Sequence, residues 1–481
     1  MNLSIPMLSI LIVLNVFLAF ILIFLERKDP SATWAWLMVL LLVPYLGFIL
    51  YLTLGQNLSR QKIFDTKTEE DIVIGKIMRE QISHIQNNEI YFNDKEMASY
   101  QDMIRMQLIN DDSIFTQDNE VEIFTDGKEK FQALLDSINN ANHHVHLLYY
   151  IIRNDKLSRM VMTALTKKAK EGIEVRLLYD ALGGKTLRRS FFKELVDAGG
   201  KVASFFPSKL PLINLRINYR NHRKLAIIDG KCGFIGGFNI GNEYIGLNKK
   251  FGYWRDTHLK IEGSAVLMMQ TRFFLDWRHA SKEKSIYNNK YYPIINSNGK
   301  TGIQIVSSGP DSEQEQIKIG FLKMINSARE SIYIQTPYFV PDQSIFEALK
   351  IASLSGVDVR IMIPNKPDHM FVYWASLSYI GELLDSGVKA YTYENGFVHA
   401  KTIVVDSKIS TVGTANIDVR SFRLNFEVNA FIYDTKTSAN LKKIFENDLK
   451  SCCEFTIEKY KKRSKVIIFK ESISRLLSPV L

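Results

Sequence analysis

The sequence predicts an α/β chain in which one domain is written twice behind a pair of membrane-spanning helices. Three observations predict it. NHRKLAIIDGKCGFIGGFN, from Asn221 to Asn239, returns as VHAKTIVVDSKISTVGTAN, from Val398 to Asn416, with the chemically distinctive residues 177 positions apart and no gap (399 − 222). Strand-like and helix-like segments alternate in the same order before both copies, so the repeat is of a whole domain. Two apolar runs, each about the roughly 20 residues that span a bilayer as a helix, stand near the start.

Taken in order, Met7 to Leu25 holds only Ser9 and Asn15 as clearly polar positions, and Trp34 to Leu54 is broken only by Pro44 and Gly47. No basic region precedes the first run and no small-residue cleavage site follows it, so two spans are expected instead of a signal peptide. Arg27 and Lys28 lie in the loop between them and Arg60, Lys62 and Lys67 follow, a balance that leans towards a cytoplasmic body. Residues 1–58 are therefore expected to form a transmembrane hairpin, and the polar stretch 59–110 a connection to the body. The first domain is expected over 111–290, with VEIFTD, HVHLLYYII and EVRLLYD as strands and KFQALLDSINNA and SRMVMTALTKKAKEG as helices. In 291–481 GIQIVSS, SIYIQTPYF and VDVRIMIP repeat the strands, and IGFLKMINSARE and SIFEALKIASLSG the helices.

A net charge of +10 and an isoelectric point near 9.1 point to an anionic partner, for which nucleic acid and anionic lipid both qualify. The basic tail from Lys459 to Arg475, interleaved with VIIF, reads equally as a solvated charge run or a membrane-surface contact. Three cysteines, Cys232, Cys452 and Cys453, make no disulfide framework. His143, His144 and His146 lack acidic or cysteine co-ligands and read as structural histidines. Gly183-Gly184 and Gly236-Gly237 lack the spacing of a nucleotide-binding loop and read as turns.

The chemistry concentrates in the repeat. Each copy reads as strand, tight turn, strand, which sets His222 beside Lys224 and His399 beside Lys401 on one face. An imidazole next to an ammonium suits a phosphate. Asp229 and Asp406, counted with the signature's catalytic set, stand at an odd offset at the turn, where tying down the hairpin is the expected task. Asn239 and Asn416 close each copy.

The pattern HxK(x)4D(x)6G(G/T)xN, present twice, resembles the paired signature of the phospholipase D superfamily. The second copy departs from the first in having Thr414 where the first has Gly237. ERKDPSATWAWL, YYIIRND, NYRNHRKLAIIDG, QTPYFVPD, MIPNKPDHMFVYWAS and RSFRLNFEVNAFIYD further resemble the bacterial cardiolipin synthases, over nearly the whole chain. The resemblance implies two α/β sandwich domains about a pseudo-two-fold axis, forming one site in a bacterial cell membrane. It implies exchange of phosphodiester bonds through a phosphohistidine, with two phosphatidylglycerols joined into cardiolipin and glycerol released. Hydrolysis of membrane phospholipid is the alternative, since no residue here separates a lipid alcohol from water; a nuclease fits poorly with two spans. The resemblance also implies a crossed pairing, with Asp256 supporting His399 and Glu427 supporting His222, and makes His222 the nucleophile. Lys224, Lys401, Asn239 and Asn416 would stabilise charge on the phosphoryl oxygens in place of a metal, so no cofactor is expected.

Removal of Met1–Asn57 is predicted to leave a folded body whose activity falls far more on bilayers than on detergent-dispersed lipid, because the spans act by raising effective concentration. Paired assays and a thermal melt check this; loss of the fold would make the spans part of the core.

Overall fold

The computed structural model describes residues 13–20, 30–42, 47, 51, 69–87, 89–207, 218–283 and 288–478. Of the expected spans, residues 13–20, 34–42, 47 and 51 lie among them and the rest outside. Among the described residues no helix is long and apolar enough to cross a membrane. A helical stretch over 13–20 lies near the helix Pro30–Leu42. There Leu18, Leu40 and Tyr51 pack together, and the Asn15 side chain donates to the Leu40 carbonyl at 3.2 Å.

The first half supplies β1 (Thr116–Asp126), β2 (His144–Tyr149), β3 (Glu174–Asp180), β4 (Lys201–Phe205), β5 (Arg220–Asn221), β6 (Leu225–Ile228), β7 (Cys232–Gly236) and β8 (Trp254–Glu262). The second supplies β9 (Thr301–Ser308), β10 (Ser331–Gln335), β11 (Phe339–Val340), β12 (Asp358–Pro364), β13 (Lys389–Tyr393), β14 (Phe397–Val398), β15 (Thr402–Val405), β16 (Ile409–Gly413), β17 (Ile417–Asp418), β18 (Asn425–Tyr433) and β19 (Cys452–Glu454). One sheet runs β1-β8-β7-β6-β2-β3-β4, antiparallel as far as β2 and parallel beyond it. The other repeats it as β9-β18-β16-β15-β10-β12-β13, with β19 added antiparallel at the edge. The long β1 belongs to both, because Thr116 and Asn119 pair with β9 before the strand joins β8.

The duplication in the text is thus a duplication of topology. Parallel strands need covered faces, and three apolar layers provide them. The outer face of the first sheet is covered by the helices Gly127–Asn139 and Lys156–Lys170, with Phe131, Leu134 and Leu165 fully buried. Between the sheets lies the shared core, where Leu225, Ile235 and Leu259 meet Val404, Val412 and Val428 together with Phe273 and Trp277 of the helix Ala265–Ser281. The second sheet carries the helices Gln316–Ser327, Gln343–Leu354 and Met370–Leu384 on its outer face.

That outer layer corrects the expected connection over 59–110. Phe92, Met97, Tyr100, Met103, Ile104 and Leu108 are buried in the second half's core, and Gln81 both donates to and accepts from the Phe115 backbone. The helix Gln101–Asp111 has apolar residues at 103, 104 and 108, a stripe that must be covered. Residues 92–108 are thus a structural part of the body.

Each signature hairpin turns through two residues of positive φ: Asp229 (56°) and Gly230 (66°) in the first copy, Asp406 (52°) and Ser407 (56°) in the second. Such turns match the strand twist but favour glycine at the second position. A Cβ on Gly230 would also sit 2.6 Å from the Tyr291 carbonyl, whereas Ser407 is tolerated. Ser407→Gly should therefore raise the stability of the body by up to about 1 kcal/mol, read as a higher midpoint in urea; a lower midpoint would contradict the turn assignment.

Candidate active site

The stretch His-x-Lys was expected on a strand, but in both copies it lies in the extended link just before one. The backbone there pairs with the other half of the chain. His222 N donates to the Phe426 carbonyl at 2.9 Å and His399 N to the Arg255 carbonyl at 2.7 Å. The short β5 pairs with the start of β18, and β14 with the start of β8. Each histidine is thereby delivered to the strand that carries the opposite half's acid.

The crossed pairing follows directly. Glu427 of β18 accepts from His222 Nδ1 at 2.9 and 3.0 Å, and Asp256 of β8 accepts from His399 Nδ1 at 2.6 Å. A carboxylate on Nδ1 leaves Nε2 of each neutral ring with its lone pair and fixes the ring's orientation. Both rings line one cavity of about 470 Å³, together with Asn239 and Asn416. Below them Lys224 Nζ donates to the His222 carbonyl and Lys401 Nζ to the His399 carbonyl, both at 2.6 Å, and Lys401 reaches His399 Nδ1 at 3.0 Å.

The one departure between the copies has a physical reason. A Cβ on Gly237 would lie 1.9 Å from Asp256 Oδ1, so only glycine lets that carboxylate close on His399. In the second copy the Thr414 hydroxyl accepts from Val428 N at 2.9 Å beside Glu427.

Burial dominates the electrostatics. It holds the His222 imidazole down to about 4, against the pull of Glu427, and lowers His399 as well, where Lys401 works in the same direction. It brings Lys224 down to about 7 and Lys401 to about 8 despite both carboxylates. Burial works against the charge of Glu427 and of Asp256, but their imidazole and ammonium neighbours hold both below the ordinary carboxylate range. The site is thus two neutral bases, each backed by an anion, over two ammonium groups that lose their protons near neutrality unless an anion enters.

Two signature residues stand apart from this chemistry. Asp229 accepts from the backbone amides of Asn142, His143 and His144, and Asp406 from those of Arg329, Glu330 and Ser331, all at 2.8–2.9 Å. Neither lines the cavity. They clamp the hairpin to the start of β2 and β10, which corrects their inclusion in the catalytic set.

Of the clustered histidines, His144 and His146 are structural: His144 Nε2 bonds Gln270 at 2.9 Å and His146 stacks on Phe273, while His143 Nδ1 lies 2.7 Å from His144 Nδ1. Among the described residues no cluster of histidine, cysteine and acidic side chains has the arrangement to hold a metal ion.

The cavity also contains residues that motif reading left without a role: Tyr150, Arg153, Arg220, Trp254, Tyr338, Asp368, Asp418 and Arg420. Most sit in the text that carried the resemblance, such as YYIIRND and QTPYF, and only their convergence in space marks them. They make the two walls unlike. His222 lies edge-on to Tyr150 at 4.8 Å, beside Arg220 and Arg420, whereas His399 faces Trp254 at 5.1 Å and Phe397 at 6.2 Å. Two buried guanidiniums lock the frame across the halves. Arg223 joins Asp276 at 2.7 Å to the carbonyls of Glu427 and Ser308, and Arg255 joins Asp448 at 2.7 Å.

Comparison with known proteins accords with this geometry. Residues 134–256 and 321–449 match the family described as cardiolipin synthase, PLD-like domain, and residues 13–56 match the phospholipase D-nuclease N-terminal family. The chain is 56% identical over 482 residues, and the whole of both chains, to a cardiolipin synthase of Listeria monocytogenes. It is equally similar, over the same extent, to the major cardiolipin synthase of Bacillus subtilis. The chain belongs to the bacterial cardiolipin synthases of the phospholipase D superfamily. Its activity is accordingly phosphatidyl transfer on phospholipids, and the hydrolytic alternative falls away. The phosphatidylserine synthase of Haemophilus influenzae has a similar fold, with a TM-score of 0.60 at 14% identity over 79% of this chain and all of that one.

With Lys224 and Lys401 brought to about 7 and 8, an entering phosphodiester anion favours their charged forms, so binding takes up protons. Affinity for a soluble headgroup such as glycerophosphoglycerol should strengthen as pH falls from 9 to 7. Titration calorimetry at pH 8 in buffers of different ionisation enthalpy measures the uptake; binding without proton uptake would contradict it. For the empty body the sign reverses. Unfolded lysines keep their protons up to about pH 10, so between pH 7 and 10 the unfolded chain binds more protons and these two groups favour folding increasingly as pH rises.

Proposed function

We propose that the chain joins two phosphatidylglycerols into cardiolipin and glycerol at the cytoplasmic side of a bacterial membrane, to which residues 1–58 anchor it. The observation that carries this reading is the pair of imidazoles in one cavity, each with its Nδ1 on a carboxylate from the opposite half.

Phosphodiester exchange needs a nucleophile and a proton donor on opposite sides of one phosphorus. His222 Nε2 attacks the phosphorus of the first phosphatidylglycerol, and the bond to the glycerol oxygen breaks. His399, protonated when the substrate anion enters, gives its proton to that oxygen and glycerol departs. The phosphatidyl group is then held as a P–N bond on His222. A primary hydroxyl of the second phosphatidylglycerol gives its proton to His399 and attacks the phosphorus. The P–N bond breaks, its electrons return to His222, and both rings are restored. Lys224, Lys401, Asn239 and Asn416 bear the charge that accumulates on the phosphoryl oxygens, with no cofactor called for. Glu427 and Asp256 are positioning residues: each holds a ring and balances its positive charge in turn.

One feature favours His222 as nucleophile: it stands on the cationic wall, beside Arg220 and Arg420, where a phosphate would settle.

Phosphatidylglycerol supplied alone to the purified protein should give cardiolipin and glycerol in equal amounts. With a nitrophenyl phosphodiester, whose leaving group needs no proton, His399→Ala should accumulate a phosphohistidine while His222→Ala gives none. Mass spectrometry under mildly basic conditions locates the adduct. An adduct on His399 would reverse the roles and keep the two-step chemistry; no adduct on either histidine would overturn the mechanism.

A further inference from the structure

The helix Lys465–Leu476 near the end of the chain is turned inside out. Its inward face is polar, with Glu471 and Ser474 buried at 3% and 1% exposure, and Glu471 is held by Arg463 at 2.8 Å. Its outward face is apolar. Val466, Phe469, Ile473 and Leu476 follow one another at spacings of three, four and three, which is one stripe of a helix. They are 62%, 66%, 40% and 77% exposed. Among the described residues nothing covers them.

Where this stripe sits decides what it is for. The helix lies alongside Met370–Leu384 and runs in the same direction: Lys470 Nζ stands over the Trp374 ring at 5.2 Å, and Arg475 over the Tyr379 ring at 4.6 Å while pairing with Glu382. The two N-terminal ends are therefore neighbours. The start of Met370–Leu384 is also the rim of the catalytic cavity, since His369 and Val372 line it. At that rim Met370 and Phe371 are themselves 51% and 54% exposed. The apolar stripe and these two exposed side chains thus stand at neighbouring helix ends, close to the cavity mouth.

The charge around the stripe is mainly positive, with Glu382 paired to Arg475 and Glu471 to Arg463. From Lys459 to Lys470 the chain holds Lys459, Lys461, Lys462, Arg463, Lys465 and Lys470 and no acid. All five lysines are exposed. An exposed apolar stripe flanked by lysines fits the interface of an anionic bilayer, where the side chains enter the headgroup boundary and each nearby lysine adds attraction.

We propose that this surface, Met370 and Phe371 together with the outward stripe of Lys465–Leu476, docks the body onto an anionic lipid bilayer and sets the cavity mouth against it. The inference rests on the reading of phospholipid as substrate, and extends it by naming the face through which lipid enters. It explains why the tail is basic and apolar at once: the lysines select anionic lipid, and the stripe fixes the depth and tilt of the mouth. A soluble body with this face bare would have to hold some of its most costly exposed side chains in water.

The test uses the full chain in proteoliposomes, with Cys452 and Cys453 changed to serine and an environment-sensitive nitrobenzoxadiazole dye on Phe469→Cys. With phosphatidylglycerol in the vesicles its emission should shift to the blue and be quenched by lipids brominated near the headgroup. A dye on Lys193→Cys, at an exposed site of the other half, should do neither. The double variant Phe469→Glu/Ile473→Glu should lower the ratio of bilayer activity to activity on monomeric short-chain phosphatidylglycerol by on the order of tenfold, since two buried apolar contacts are replaced by repelled charges. No blue shift, a shift equally large in purely zwitterionic vesicles, or an unchanged activity ratio would overturn the proposal. A shift that follows protein concentration instead of lipid would assign the face to a second copy of the chain. Failure of the wild type to make cardiolipin would sink the functional reading alone, because the dye reports docking without turnover.

Discussion

The structure depends on a single constraint, which is that each imidazole must be oriented by an acid that its own half does not contain. His222 reaches Glu427 and His399 reaches Asp256 only because the β5–β18 and β14–β8 pairings pass each signature into the opposite sheet. Neither half can assemble a competent histidine alone. The shared core between the sheets, the strand β1 common to both and the buried Arg223 and Arg255 pairs all serve to hold that crossing in register. Leaving one partner of a buried ion pair uncompensated costs about 3–5 kcal/mol, so the Arg255–Asp448 pair, which crosses between the halves, makes their separation expensive.

From that constraint follows the electrostatic character of the cavity. Burial this deep lowers the affinity of these bases for protons, and the arrival of a phosphate anion favours the charged forms of Lys224 and Lys401. The asymmetry of the walls, cationic at His222 and aromatic at His399, gives a nearly symmetric pair of residues two unlike surroundings.

Much of this was legible in the text. The gapless offset between His222 and His399 announced the duplication, and the alternation of segments announced the α/β layers, with EVRLLYD matching β3 residue for residue. The functional pairing was legible only through resemblance, because acid and histidine lie 143 and 205 positions apart and no local period links them. Two readings of local structure erred for physical reasons. His-x-Lys looked like strand because its extended backbone is the same whether it pairs within its sheet or across the halves. The stretch 59–110 looked like a connection because its polar content hid the narrow apolar stripe of Met103, Ile104 and Leu108, whose cover lies some 200 positions later in Gln316–Ser327. The unlike walls were invisible, since Arg220, Trp254 and Arg420 carry no motif and meet only in the fold.

The crossing of acids and histidines can be measured directly by nitrogen-15 and proton NMR of the imidazoles in the full-length protein reconstituted in lipid, with the two rings assigned by His222→Gln and His399→Gln. Both rings should carry their proton on Nδ1, in strongly hydrogen-bonded, downfield proton resonances. Glu427→Gln should move the His222 resonance upfield and leave that of His399 in place, and Asp256→Asn should do the reverse. If Asp256→Asn instead moved His222, each half would be serving its own histidine, and the account of one site built by exchange between two halves would be wrong.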